Sequence, residues 1–127
     1  LRQATTLSVF DQDLATMPDG LDTLIGPKGM RLSGGQLQRT AAARMVIRRP
    51  DLLIFDDLSS ALDVETEQKL WARLFSIHSA HWTPTFLVVS HRRTVLERSD
   101  RIILLNHGRV EMEGTFEELP PSYIRDS

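Results

Sequence analysis

Cysteine is absent from the 127 residues. That removes any disulfide framework and any thiolate metal site, fits a reducing compartment, and makes the cytosol the default expectation. No apolar run approaches the ~20 residues that a membrane-spanning helix requires, and no charged-then-apolar leader opens the chain. An excess of one charge is missing as well: 15 Lys and Arg stand against 17 Asp and Glu, interspersed, for a formal net charge of −2. No general basic field exists for nucleic acid, and electrostatics alone names no partner. Neither an internal repeat nor a low-complexity tract is present. The length suits one folding unit or part of one. Because the chain opens on Leu1 within a helix-like pattern, it is expected to be a soluble piece of a longer product.

What is there alternates helix-like and strand-like stretches. Leu7, Phe10, Leu14 and Met17 lie at helical spacing, predicting a short amphipathic helix that Met17-Pro18-Asp19-Gly20 ends in a turn. Gly26, Pro27 and Gly29 make 21–31 a loop that delivers the chain to Ser33. A second helix starts there, with Leu37, Ala41 and Met45 repeating every four residues and Arg48, Arg49 and Pro50 closing it. The unbroken apolar run Leu52 to Phe55 reads as a strand buried on both faces. Asp63 is an N-cap for a helix from Val64, with Glu65 and Glu67 in its first turn and Leu70, Trp71, Leu74 and Phe75 on one face. Thr85 to Val89 is a second β-rich run, so strand, helix and strand predict a βαβ unit with parallel strands and a right-handed crossover. Arg92 to Ser99 reads as a short helix. Ile102 to Leu105 and Val110 to Glu113, joined at Asn106-His107-Gly108-Arg109, predict a hairpin with Gly108 free to take a positive φ. Pro120 and Pro121 mark the expected end of regular structure.

Two stretches carry chemistry. In Leu32-Ser33-Gly34-Gly35-Gln36-Leu37-Gln38-Arg39 two glycines before a helix gather free N–H groups at its start, which is an anion site. The same residues also suit an ordinary helix capped by Ser33. Ligands of an open parallel sheet bind beyond the carboxyl ends of the strands; Asp56 and Asp57 follow the first strand, Ser90 and His91 the second. The paired carboxylates either begin a solvated loop or meet a magnesium ion bound to phosphates, which takes one or two oxygen ligands from protein. His91 is either a hydrogen-bonded structural residue or a functional one. His78, His81 and His107 lack metal-ligand spacing and read as solvated.

Leu-Ser-Gly-Gly-Gln-x-Gln-Arg resembles the signature motif of the ABC ATPases, and three further stretches resemble that family's nucleotide-binding domain in the right order. Leu52-Leu53-Ile54-Phe55-Asp56 is similar to the acidic strand motif called Walker B, Ser60-Ala61-Leu62-Asp63 to the D-loop, and Val89-Ser90-His91 to the switch-histidine loop. The resemblance implies that Asp56 holds Mg²⁺, that Asp57 polarises the attacking water, and that His91 reaches the γ-phosphate of ATP. Ser33, Gly34, Gly35 and Gln36 would then contact ATP held by a second nucleotide-binding domain, with Ser60 and Asp63 at the dimer interface. The stretch from Met17 through Arg31 resembles the exporter branch, which couples ATP to transmembrane domains. The implied place is the cytoplasmic face of a membrane, with no nucleic-acid partner.

The implied fold is α/β: a partial P-loop NTPase-like parallel sheet flanked by helices, with part of the ABC helical subdomain and a C-terminal β-hairpin. About 1–50 would be helical subdomain and signature helix, about 51–118 catalytic core, and 119–127 a tail, all within one C-terminal portion of a nucleotide-binding domain. Three departures stand out. Gly-x-x-x-x-Gly-Lys-Ser/Thr occurs nowhere in the 127 residues, so this piece is not expected to bind ATP tightly or to turn it over alone. Asp57 stands where the family normally has glutamate, one methylene shorter, implying a slowed site. Pro27-Lys28 stands where relatives more often have an acidic residue. Two other readings remain open: a non-transport ABC ATPase of DNA repair or chromosome maintenance, against which no coiled-coil heptads appear, and a truncated module that docks on a complete partner and catalyses nothing.

Overall fold

The computed structural model of the chain describes residues 1–56, 58, 60–78 and 82–124. Contacts divide the chain into two compact units, Leu1–Val88 and Val89–Ser127, a division that length alone does not suggest.

In the first unit, the single helix expected near the start is two: α1 (Arg2–Leu7) and α2 (Phe10–Leu14). The break falls at Val9, which is buried and left-handed at φ 60, a strained place for a β-branched residue. Burial explains it. Ala4, Thr5, Ser8, Val9, Phe10, Asp13 and Met17 are all buried, and around one continuous helix those positions would spread over roughly 240°, far wider than a single apolar stripe. The turn lets both short segments face the same interior.

Helix α3 (Gly34–Val46) packs against α1 and α2. Its existence follows the sequence, but its inward face does not. Gly35, Ala42, Ala43 and Val46 are buried, whereas Leu37 is 62% exposed and Ala41 is exposed. Small residues face inward because they let helix axes approach closely.

Strands β1 (Leu52–Asp56) and β2 (Thr85–Val89) form a short two-stranded parallel sheet, with α4 (Val64–Phe75) between them in sequence. Leu53 and Phe55 are buried, but Leu52 is 47% and Ile54 55% exposed, so the strand expected to be buried on both faces is covered on one. The cover is aromatic. Phe55 meets Trp71 of α4 edge-on at 5.6 Å and stacks with Phe86 of β2 at 6.1 Å, while Phe75 contacts both Trp71 and Phe86. Each such pair contributes about 0.5–1.5 kcal/mol beyond its buried area. Leu70, Trp71 and Leu74 recur at helical spacing on the buried face of α4 as the pattern requires, together with a buried Glu67.

The second unit contains α5 (Arg93–Leu96) and the hairpin of β3 (Ile102–Asn106) with β4 (Arg109–Gly114). Asn106 pairs with Arg109, so the loop is the two residues His107 and Gly108, with φ of 47 and 73. Positive φ at both central positions is the twist-matched turn that glycine makes accessible. Between Leu104 and Leu105 the register shifts, leaving Glu111 as the extra residue of a bulge. Leu96, Ile102 and Leu119 form the local core, joined by Met112, Phe116 and Ile124. The prolines do not end regular structure at once: a short 3₁₀ turn follows at Pro121–Tyr123.

Candidate functional site

The start of α3 is built by side chains that each satisfy a neighbour. Ser33 Oγ accepts from the Gln36 amide at 3.2 Å, and Gln36 Oε1 accepts from the Ser33 amide at 2.9 Å, closing a capping box. Gly34 and Gly35, the first two helical residues, have no intrahelical acceptor for their N–H groups. The macrodipole favours an anion there. Beneath this end lies Asp13 of α2. It accepts from Arg39 Nε at 2.7 Å and Nη2 at 2.8 Å, and more distantly from Gln36 Nε2 at 3.4 Å. Both ionic side chains are nearly buried, at 14% and 11% exposure, so this bidentate pair sets the rotation of α3 about its axis. Gln36, one of the residues expected to face ATP, therefore spends both ends of its amide within the chain.

A second link runs from α3 to the loop that follows β1. Gln38 Nε2 donates to Ser60 Oγ at 3.0 Å, and Gln38 Oε1 accepts from the Ala61 amide at 3.4 Å. The glycines belong to the same contact. A Cβ on Gly35 would stand 3.1 Å from the Ala61 carbonyl oxygen and 3.1 Å from Leu62 Cδ2; one on Gly34 would stand 3.3 Å from Ala61 Cβ. Close approach is what these glycines permit, and the near surface they meet is this chain's own loop. Asp63 ends the loop as the N-cap of α4, accepting from Thr66 N at 2.9 Å and Thr66 Oγ1 at 2.8 Å. The Thr66 amide and then its hydroxyl, both donating to the ionised form, hold the Asp63 carboxyl below its ordinary value.

The strand end is different. Asp56 closes β1 with its carboxylate exposed, and among the described residues it makes no hydrogen bond or ion pair. Asp57 lies outside the described residues, as does His81; His78 and His107 are exposed, in line with their reading as solvated. Among the described residues no three His, Cys, Asp or Glu side chains gather as a metal cluster. The Asp56 carboxylate, unpartnered among the described residues, would still suit magnesium, a hard ion that takes only one or two oxygen ligands from protein. In the second unit Ser90 Oγ accepts from the Arg92 amide at 3.1 Å, and His91 is exposed. No helix among the described residues is long and apolar enough to cross a membrane.

No protein-family profile matches the chain. It is 47% identical over 106 residues to the "ATP-dependent lipid A-core flippase" of Burkholderia orbicola (strain AU 1054), covering 84% of this chain and 17% of the flippase. Against the flippase of Cupriavidus pinatubonensis (strain JMP 134 / LMG 1197) identity is 40% over 119 residues, 94% of this chain and 20% of the relative. Among solved structures, a bacterial Atm1-family ABC exporter with ATP bound matches with a TM-score of 0.76 at 33% identity, over 90% of this chain and 19% of that one. The chain is a homologue of part of the ABC transporters.

It spans about a fifth of the length of these ABC relatives. The residues that hold the α3 start were only half visible in the sequence. Gln38 and Arg39 stand inside the quoted motif, yet nothing in the sequence says that they contact Ser60 and Asp13. Asp13 carried no signal at all: a lone acid in a short helix reads as solvated until α3 is laid over it.

Proposed function

We propose that this chain is the signature and Walker B part of an ABC nucleotide-binding domain, coupling ATP hydrolysis to transport across a membrane. The observation that carries the reading is the pinning of the α3 start, with its two glycine amides, to the loop 60–63 that follows Asp56 and β1. Residues 1–50 are then helical subdomain and signature helix, and 51–118 part of a P-loop NTPase-like core. Ser33, Gly34, Gly35 and Gln36 form the turn that meets the γ-phosphate of ATP held by a second nucleotide-binding domain. The glycine N–H groups donate, while Ser33 and Gln36 hold the turn through their capping box. Donated N–H groups and the positive helix end stabilise charge where it builds up in phosphoryl transfer. Asp56 holds the magnesium ion, which when bound neutralises phosphate charge. Asp57 orients the attacking water, and His91 reaches the γ-phosphate. Ser60 and Asp63 shape the loop at the domain–domain contact. A transmembrane domain is the mechanical partner, at the cytoplasmic face of the membrane; the match to flippases and to an exporter with ATP bound supports this.

The test is a graft. This chain replaces the matching segment of the Burkholderia orbicola flippase, and phosphate release from Mg-ATP is followed. The graft is expected to hydrolyse ATP, Asp56→Asn to lower turnover about 10²-fold, and Asp57→Glu to raise it. A folded graft without Mg-ATP hydrolysis, or one indifferent to Asp56→Asn, sinks the proposal.

A further inference from the structure

Gln38 is no part of the phosphate-facing set, yet its side chain links α3 to the loop after β1. Its amide works at both ends: the nitrogen donates to Ser60 Oγ at 3.0 Å and the oxygen accepts from Ala61 N at 3.4 Å, across 22 and 23 residues of sequence. A two-point contact from a planar amide fixes the loop in orientation as well as position. The steric fit supports it, since the first turn of α3 lies against Ala61 and Leu62 so closely that a Cβ on Gly35 would press on both. The far end of the loop is fixed too, by the Asp63 cap on α4. Loop 60–63 is thus held between two helices, and among the described residues Gln38 makes the side-chain hydrogen bonds on the α3 side.

We infer that Gln38 is a positioning residue: it holds loop 60–62 in register with the glycine amides of α3, so that displacement of one moves the other. This rests on the functional reading above and adds a residue to it. A ligand anion drawn to Gly34 and Gly35 pulls on α3. The pull reaches Ser60 and Ala61 through the Gln38 amide, and hence the stretch that begins at Asp56.

Three variants test it in the grafted flippase. Gln38→Leu keeps a side chain of similar bulk, one atom shorter, and removes the hydrogen bonds to Ser60 and Ala61. Gln38→Glu keeps the acceptor for Ala61 N and replaces the other bond by one of opposite direction, the Ser60 hydroxyl donating to the carboxylate. Ser60→Ala removes one arm from the loop side and serves if Gln38→Leu fails to fold. Expected are a kcat about 10-fold lower in Gln38→Leu with KM for ATP within about twofold, restoration in Gln38→Glu, and a loss of about threefold in Ser60→Ala. A Gln38→Leu kcat within twofold of the parent, or a loss that Gln38→Glu does not restore, overturns the inference. If the parent graft hydrolyses no ATP, the functional reading has failed, and hydrogen exchange at the Ala61 amide in the full chain decides the positioning role separately. Exchange about 10-fold faster in Gln38→Leu and protected in Gln38→Glu upholds it; unchanged exchange overturns it.

Discussion

The two halves of the candidate site are held in opposite ways. At the α3 start, Ser33, Gln36, Gln38 and Arg39 all hydrogen-bond within the chain, and Asp13 is engaged by two of them. At the end of β1, Asp56 is exposed and makes no side-chain hydrogen bond or ion pair among the described residues. A helix end has orphan N–H groups that folding must orient, so its surroundings are organised before any ligand arrives. In the proposed role as a cation ligand, the Asp56 carboxylate needs open oxygens, because internal partners would compete with the ion.

The sharpest way to break this contrast is at Asp13. Asp13→Ala leaves the nearly buried Arg39 guanidinium without its carboxylate and is expected to destabilise the first unit by about 3 kcal/mol in urea unfolding. Asp56→Asn should shift the same curve by less than about 0.5 kcal/mol. Equal shifts would mean that the strand end is as organised as the helix start. A smaller effect is expected at the glycines. Gly35→Ala presses a methyl group on a backbone oxygen and on Leu62, costing about 1 kcal/mol despite alanine's better helix propensity. Gly34→Ala, with a single contact at 3.3 Å, should be neutral or slightly stabilising; a reversed order would mean the loop yields freely.

The smallest effect is a pH dependence at Asp63. Its folded pKa is depressed, so its contribution is fully present above the unfolded carboxylate value and is lost as pH falls through the folded one. Asp63→Asn keeps a capping side chain without the charge. The wild-type advantage in melting temperature over Asp63→Asn should therefore be largest near neutral pH and vanish in strong acid. A difference independent of pH would show that hydrogen-bond geometry, and not charge, stabilises the cap.

The elements themselves were legible because their signals are local. Asp63 as N-cap, the spacing of Leu70, Trp71 and Leu74, and the positive φ at Gly108 each depend on a few neighbouring residues. The Ser33 cap was legible in the same way, as one of the two readings of that stretch. Misread features depended on what lies across the interface. Leu37 and Ala41 have the right period but face outward; the buried positions of α3, which packs against α1 and α2, are Ala42, Ala43 and Val46, with Gly35 against loop 60–62. The run from Leu52 to Phe55 looks doubly buried, yet aromatic cover reaches only Leu53 and Phe55. The break at Val9 has no glycine or proline to announce it.

By itself the sequence determined which residues can cap, turn, alternate and offer carboxylate or amide groups, since those properties travel with residue type and spacing of a few positions. Only the tertiary structure decided that Arg39 and Gln36 meet Asp13, and that Gln38 and Gly35 meet loop 60–62. Those contacts join residues more than 20 positions apart, where partner choice is set by how helices and strands pack and not by any local preference of the chain.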